Sequence, residues 1–379
     1  MSDSADSTHR RRRETDPSVE ISEENLPQMD SVLEFAVKMD ASDVHISAGI
    51  APTVRVAGEL VPMPDAPIMS PEMAERLVAS VMSEDQREVF ERELELDFSF
   101  GRRGLGRYRV NAFRERGDVS AALRRIPGQP SSLDELGLPR VIGDFAEFTR
   151  GLVLVTGPSG SGKTTTLAAI IDKINRERNA HVITIEDPIE FVHSNDRAIV
   201  QQREVGTDTT TFARALRSAL REDPDVLLIG EMRDPETIAA AVSAAETGHL
   251  VLATLHTNSA AQSVDRIIDA FPPHQQTQIR LQLAASLRAV VAQQLVPLIG
   301  GGRACVAEVL IANGAVRNLI RSGQTHQIES TMQSGLKEGM VIFDMRLAEL
   351  VRQRRVTHEV GLIYCMEPQT FNARLTAGG

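Results

Sequence analysis

A glycine-rich segment, residues 157–164, constrains this chain more than any other feature. It reads GPSGSGKT and completes the pattern G-x-x-x-x-G-K-[ST]. An apolar run at 152–155 precedes it as a predicted buried strand, and apolar residues at helical spacing follow it through residues 164–175. Glycines let backbone N–H groups turn toward a phosphate, and the start of a helix adds partial positive charge. Strand, loop and helix together predict that the chain binds a nucleoside triphosphate.

The residues of this loop have separate expected roles. Lys163 is expected to reach the β- and γ-phosphates, and the Thr164 hydroxyl to take a position on Mg²⁺. The predicted ligands are therefore ATP and Mg²⁺. The residues predicted to bind them are Gly157, Ser159, Gly160, Ser161, Gly162, Lys163, Thr164 and Thr165.

Two later predicted strands end in carboxylates. In the run VITIEDP at 182–188, the strand predicted at 181–186 ends with Glu186, which is expected to support Mg²⁺, through water, or to orient the nucleophile. The run DVLLIGE at 225–231 has Gly230 where an aspartate is usual, so Glu231 is expected to polarise the attacking water. Ligands bind at the carboxyl ends of parallel strands, so both carboxylates are expected near the phosphate loop.

A further predicted strand, residues 250–255, is followed by His256. Its position at the carboxyl end of that strand is expected to bring His256 close to the nucleotide, where it could sense the γ-phosphate.

The pattern along the chain predicts four segments. Residues 1–27, which include Arg10–Arg13, are polar and charged and are typical of a disordered tail. Residues 28–126 predict a small α+β domain, and 127–140 a linker. In 141–379, strands alternate with helices to about residue 255 and a mainly helical part follows from about residue 274, which predicts a parallel sheet with helices on both faces.

Composition excludes several classes of protein. A formal net charge of −11 argues against a global electrostatic grip on nucleic acid. The only cysteines, Cys305 and Cys365, have no CxxC spacing, which argues against a disulfide scaffold or a four-cysteine zinc site. No apolar stretch reaches the roughly 18 residues of a membrane span, so a cytoplasmic protein without a transmembrane segment is expected.

Four motifs, together with parts of the N-terminal region, resemble those of the secretion-type hexameric ATPases that drive type IV pili. The four are GPSGSGKTTTLAA, ITIEDPIEF, DVLLIGEMRDPET and TGHLVLATLHTNSA, and they cover residues 157–260 in that order. ASDVHISAGIAPTVRVAGEL and GRYRVNAF resemble the smaller N-terminal domain of the family. The resemblance spans about residues 30–330. It implies an α/β fold, in which a RecA-like phosphate-loop domain with a parallel sheet follows a small PAS-like α+β domain.

The resemblance also implies partners and an output. Family members work as homo-hexameric rings, in which arginines of one subunit's small domain reach the γ-phosphate on the next subunit. Matched to that pattern, Arg109 and Arg124 are the candidates here, and the neighbouring Arg107 and Arg125 stay open as alternatives. Residues 315–321, AVRNLIR, resemble a signature of the retraction motors, which lack the zinc insert of extension motors. Pilus retraction, and with it twitching motility, an inner-membrane platform protein as partner and a position at the inner face of the cytoplasmic membrane are implied.

Other functions stay open on the sequence. Within the same class are a pilus assembly, type II secretion or accessory retraction ATPase. A nucleic-acid translocase shares this kind of core, although the acidic charge and an aromatic content of 4% disfavour it. A nucleotide-binding switch without turnover is the third alternative, and an intact Glu231 counts against it.

Overall fold

The structure is a computed structural model, and it describes residues 28–126, 128 and 130–376. The predicted tail, with Arg10–Arg13, lies outside these residues. The chain divides into two compact units, with the boundary between Arg125 and Ile126.

The first unit is a small α+β domain, as predicted. Its six strands form one sheet in the order β3-β2-β1-β6-β5-β4. Its elements are α1 (Met29–Lys38), β1 (Asp43–Ile46), β2 (Thr53–Val56), β3 (Glu59–Pro62), α2 (Pro71–Ala79), α3 (Glu84–Glu93), β4 (Glu95–Arg102), β5 (Gly106–Glu115) and β6 (Asp118–Ile126).

Side chains alternate between the two faces of this sheet. In β5, Tyr108, Val110 and Ala112 are buried in the core of the unit, while Arg109 between them is exposed. This is the period-two pattern of a strand with one covered face. Arg109 therefore projects from the face away from that core.

The second unit contains the phosphate loop. Its elements are α4 (Val141–Asp144), β7 (Gly151–Thr156), α5 (Lys163–Glu177), β8 (His181–Glu186), β9 (Ile199–Glu204), α6 (Phe212–Ala219), β10 (Val226–Ile229), α7 (Pro235–Glu246), β11 (Leu250–Leu255), α8 (Ala260–Asp269), α9 (Pro273–Ser286), β12 (Leu287–Pro297), β13 (Arg303–Ile311), α10 (Gly314–Ser322), α11 (Ile328–Ser334), α12 (Phe343–Arg352), α13 (His358–Tyr364) and α14 (Pro368–Thr376).

Seven strands of this unit form a sheet in the order β13-β12-β7-β11-β10-β8-β9. Neighbouring strands run parallel except for β13, which pairs antiparallel with β12. Helices α6 to α9 cover one face, and α4 and α5 cover the other, each with its own buried cluster. The predicted α/β class is confirmed. Because the strands are parallel, the ends of β7, β8, β10 and β11 lie at one edge of the sheet.

The structure corrects three details of the sequence interpretation. The segment from about residue 274, predicted as mainly helical, contains the long β12–β13 hairpin, and β9 was also missed. An apolar run such as that of β12 has no helical or strand period of its own, so only its pairing with β7 decides its conformation. The predicted linker is also shorter than expected, since Leu138 is buried in the second unit and Leu133 and Leu136 pack beside it.

Throughout the described parts of the chain, no helix has both the length and the hydropathy to cross a membrane.

Candidate active site

The phosphate loop joins the end of β7 to the start of α5. Gly157, Gly160 and Gly162 have φ angles of 142°, 74° and 89°, a region that side chains with a Cβ rarely adopt. Gly157 also lies against β12, where a Cβ would come within 2.2 Å of the Gln293 carbonyl oxygen. The glycines of the motif are therefore required by backbone conformation and by close packing.

Lys163 folds back over this loop. Its Nζ donates to the carbonyl oxygens of Gly157 at 2.9 Å and Pro158 at 3.1 Å. Burial lowers the pKa of Lys163, and the negative charges of Glu231 and Glu190 act in the opposite direction. The structure thus brings the loop ammonium within electrostatic reach of two carboxylates at the edge of the sheet.

The loop and the first turn of α5 offer donors that fit a phosphate chain. The first N–H groups of a helix have no acceptor within it, and here they follow the loop directly. Ser161 Oγ is buried and has no hydrogen-bond partner within the described residues. The hydroxyls of Thr164 and Thr165 are half-buried beside them. N–H groups, hydroxyls and an ammonium are the donor set expected for ATP with Mg²⁺.

Gly230 occupies a tight position between neighbouring strands. Its N–H donates to the carbonyl of Ile185 at 2.7 Å, and its carbonyl accepts from the Thr254 hydroxyl. A Cβ at Gly230 would lie 3.2 Å from the backbone of Ile185 and Glu186. The close approach of β8 to β10 therefore leaves little room for a side chain at residue 230, and Glu231 is the carboxylate that follows the strand.

Glu231 is paired with two cationic or potentially cationic groups. Its Oε1 accepts from Arg233 Nε at 2.5 Å and lies 3.1 Å from His256 Nε2. Burial alone would raise the pKa of Glu231, but the hydrogen bonds and charges of Arg233 and His256 outweigh it and the pKa is lowered. Glu231 is consequently an ionised acceptor at the carboxyl end of β10.

Glu186 lies deeper in the protein. Its Oε1 accepts from the hydroxyl of Thr184 at 2.7 Å and from Gln202 Nε2 at 3.0 Å. Burial raises the pKa of Glu186, against these hydrogen bonds, and the neighbouring charge of Glu190 also raises it. A nearby cation would favour the ionised form, so the carboxyl is suited to a site that gains positive charge.

Arg109 and Arg124 belong to the first unit. Arg109 is exposed, and Arg124 donates from Nε to Asp43 Oδ1 at 2.9 Å with three quarters of its side chain accessible. Their role toward a nucleotide stays a prediction. Lys163, Glu231 and His256, by contrast, are brought together within the second unit.

The segment after His256 is anchored from two sides. Thr257 Oγ1 lies 2.7 Å from Ser263 Oγ, which donates to Thr156 Oγ1 at the end of β7. The Ala260 N–H donates to Glu308 Oε1 of β13 at 2.8 Å. Burial raises the pKa of Glu308 to about 7.

Sequence reasoning missed four residues of this neighbourhood: Glu190, Gln202, Arg233 and Gln293. Glu190 and Arg233 stand inside motifs that were recognised, so their position there was an available signal. Gln202 and Gln293 lie on the strands that were missed, and nothing local marks them as site residues except a polar side chain in a partly apolar run.

Fold and site define a phosphate-loop nucleotide-binding protein with a RecA-like parallel sheet. More particularly, the chain belongs to the family described as type II/IV secretion system protein, whose model matches residues 22–363.

Several characterised members are similar over most of their length. The chain is 46% identical to the type IV pilus retraction ATPase PilT of Pseudomonas aeruginosa over 340 residues, which cover 90% of this chain and 98% of that protein. It is 50% identical to a twitching motility protein of Neisseria gonorrhoeae over 309 residues, 81% of this chain and 82% of that protein. It is 43% identical to the type IV pilus ATPase PilU of P. aeruginosa over 338 residues, 89% of this chain and 88% of that protein.

Solved structures agree with the fold. The crystal structure of the pilus retraction motor PilT with bound ADP superposes with a TM-score of 0.84 at 46% identity, covering 92% of this chain and 99% of that one. The ATPase DotB of Legionella pneumophila superposes with a TM-score of 0.78 at 30% identity, covering 88% of this chain and 94% of that one. The predicted resemblance to secretion-type ATPases is thereby confirmed.

Proposed function

We propose that this chain is an ATP-hydrolysing motor that works as a homo-hexamer and powers the retraction of type IV pili. One observation carries the hydrolytic activity. Glu231 lies at the carboxyl end of β10, with its Oε1 3.1 Å from His256 Nε2, and its negative charge opposes the lowering of the Lys163 pKa that burial causes. The pilus function is supported by identities of 46% and 50% to proteins named for pilus retraction and twitching motility.

The residues of the chain divide the chemistry among them. Lys163 and the loop N–H groups hold the β- and γ-phosphates, and Glu231 orients a water molecule for in-line attack on the γ-phosphorus. Thr164, with Glu186 acting directly or through water, would hold Mg²⁺, which supplies positive charge to the phosphate oxygens when bound. His256 contacts Glu231, so a shift of Glu231 on binding the γ-phosphate would be transmitted to His256.

Further positive charge at the γ-phosphate is proposed to come from arginines of the neighbouring subunit. Arg109 and Arg124 of one chain would approach the γ-phosphate bound by the next and stabilise the charge of the transition state. Within a ring, each site is then complete only when two chains meet. Rotation of one unit against the other with nucleotide state would become movement at a platform protein in the cytoplasmic membrane, on whose inner face the ring would act.

Deletion of the gene tests the direction of the motor. Loss of a retraction motor leaves pili extended, so the deletion strain is expected to carry excess surface pili and to lose twitching motility. Complementation with the wild-type chain should reverse both effects, whereas Glu231→Gln should not. Glu236→Gln removes an exposed carboxylate on α7 and should complement fully as the control. Loss of surface pili would assign the chain to assembly and overturn the proposal, as would unchanged piliation and motility.

A further inference from the structure

Gln293 is a buried amide in a strand that is otherwise mostly apolar. It lies on β12 beside β7 and is 2% exposed. A buried amide is costly unless its donor and its acceptor are both satisfied. Its presence in the core therefore needs a reason.

Both the nitrogen and the oxygen of the Gln293 side-chain amide form hydrogen bonds with the phosphate-loop region. Its Nε2 donates to the carbonyl of Ser161 at 2.8 Å, and its Oε1 accepts from Thr166 Oγ1 in α5 at 2.9 Å. Two glycines of the loop, Gly157 and Gly162, also lie against this residue. A Cβ on Gly157 would be 2.2 Å from the Gln293 carbonyl oxygen, and one on Gly162 would be 3.2 Å from Nε2.

The bond to Ser161 orients a peptide group that matters for phosphate. In a trans peptide the C=O and the following N–H point to opposite sides. Because Gln293 holds the Ser161 carbonyl, the N–H of Gly162 points to the side of the loop away from β12. The bond to Thr166 meanwhile fixes the first turn of α5 relative to the same strand.

We propose that Gln293 is a positioning residue for nucleotide binding, which clamps the phosphate loop and the start of α5 in the conformation that receives the phosphates. The inference rests on the proposed ATP site and adds to it a residue outside the recognised motifs. Gln293 acts through Ser161 and Thr166.

Gln293→Met is the primary variant. Methionine has a similar length and no strong hydrogen-bonding group, so the strand keeps its packing while the Ser161 carbonyl and the Thr166 hydroxyl lose their partner. Without these two hydrogen bonds the loop is less ordered before the ligand binds, and ordering it then costs binding free energy. The Kd for ADP is therefore expected to rise about ten- to hundredfold. Gln293→Glu retains an acceptor for Thr166 but sets an oxygen against the Ser161 carbonyl, so it should lose at least as much affinity.

Gln294→Met is the matched control. Gln294 is the next residue of the same strand, is half-buried and points to the opposite face. Its substitution changes side-chain polarity in β12 equally, and the Kd for ADP should stay within about twofold of wild type.

The measurement is titration of a fluorescent ADP analogue, together with the midpoint of unfolding without nucleotide. A purely structural role would lower the midpoint of the Gln293 variants and leave the Kd of the folded protein unchanged, which would overturn the inference. Thr166→Val, an isosteric change on the partner, gives an independent reading and should raise the Kd about threefold. Unchanged Kd in Thr166→Val and in a folded Gln293 variant would also contradict the clamp. Failure of the wild type to bind the analogue would instead overturn the proposed function.

Discussion

His256 Nε2 lies 3.1 Å from Glu231 Oε1, so side chains that follow two adjacent parallel strands are in contact. The strands are β10 and β11, paired in register from Val226 with Leu250 to Ile229 with Ala253. Since paired parallel strands end side by side, residues just past their ends are close by construction. The contact couples the proposed catalytic carboxylate to a segment that is itself anchored to β7 and β13.

Replacement of Glu231 by glutamine should separate binding from hydrolysis. The amide fills the same space but cannot polarise water as a carboxylate does, so kcat is expected to fall about 10²- to 10⁴-fold with the Kd for ATP nearly unchanged. Single-turnover hydrolysis and nucleotide titration check this. Glu236→Gln, at an exposed position of α7, should behave as wild type. Turnover by Glu231→Gln at the wild-type rate would remove Glu231 from catalysis.

Loss of Lys163 should abolish nucleotide binding. Its ammonium is the buried cation of the loop, and Lys163→Ala is expected to raise the Kd for ATP at least about a hundredfold, since a charged hydrogen-bond donor to phosphate is removed. Lys173→Ala, which removes a half-buried lysine side chain paired with Glu177 on the same helix, is the control. Equal affinities of the two variants, measured by titration calorimetry, would contradict the assignment.

The pH dependence of kcat/KM should report the environment of Glu231. The lowered pKa of Glu231 keeps the carboxylate ionised to a pH below the ordinary value of 4.5. Its favourable pairing is therefore present above that value and is lost as the pH falls through the folded-state pKa. Arg233→Gln removes a hydrogen bond and a charge, so the acidic limb of the profile should move to higher pH.

Arg176→Gln on α5 serves as the control for this profile, because it removes an exposed arginine that pairs with Asp172 outside the site. Unfolding followed over the same pH range separates loss of activity from loss of structure. An acidic limb that is identical in wild type and Arg233→Gln would show that Arg233 does not tune Glu231.

Glu308 should make the free energy of unfolding fall as the pH rises, the opposite of the effect of Glu231. Burial raises its pKa from 4.5 to about 7, so the folded state binds more protons than the unfolded state between these values. Stability contributed by the protonated form is complete below pH 4.5 and is lost as the pH rises through about 7. The difference in pKa corresponds to roughly 3 kcal/mol.

Glu308→Gln tests this, because glutamine remains an acceptor for the Ala260 N–H without the charge. In wild type, Glu308 makes the unfolding free energy decline between pH 4.5 and 7, and the variant should lack this contribution. The stability of the variant relative to wild type should therefore be greater at pH 8 than at pH 5. Chemical denaturation at several pH values gives the curve. Parallel curves for variant and wild type would contradict the assignment of the titration to Glu308.

Mixing two inactive variants tests whether each site is shared. Subunits carrying Arg109→Ala retain Glu231, and subunits carrying Glu231→Gln retain Arg109. A mixed ring contains some interfaces in which both intact residues meet, so the mixture should recover part of the wild-type rate. Complete absence of recovery at all mixing ratios, with mixed rings verified by mass, would contradict arginines supplied between chains.

Much of the site was predictable because its constraints are local. The loop glycines are required by the local backbone conformation. The carboxyl ends of parallel strands lie at one edge wherever such a sheet forms, so Lys163, Glu231 and His256 were expected to lie together. Gly230 was visible in the sequence, but the close approach of the β8 backbone to it is a tertiary contact.

The parts that escaped prediction depend on pairing between distant segments. The strand that carries Gln293 has an apolar pattern compatible with either a buried helix or a buried strand, and only its neighbours β7 and β13 settle it. Gln202 reaches Glu186 from β9, an edge strand whose exposed Ile199 and polar residues give no clear period. The pairing of Arg233 with Glu231 depends on side-chain conformation, which spacing along the chain does not determine.

The most direct test of the central claim is the specific ATPase rate as a function of protein concentration, with the mass measured by light scattering on the same samples. A ring with shared sites predicts a specific rate that rises with concentration as the mass approaches six chains of 41.4 kDa. Glu231→Gln should reach the same mass without turnover. A constant specific rate from a species with the mass of one chain would contradict the hexamer, the shared arginines and the motor built on them.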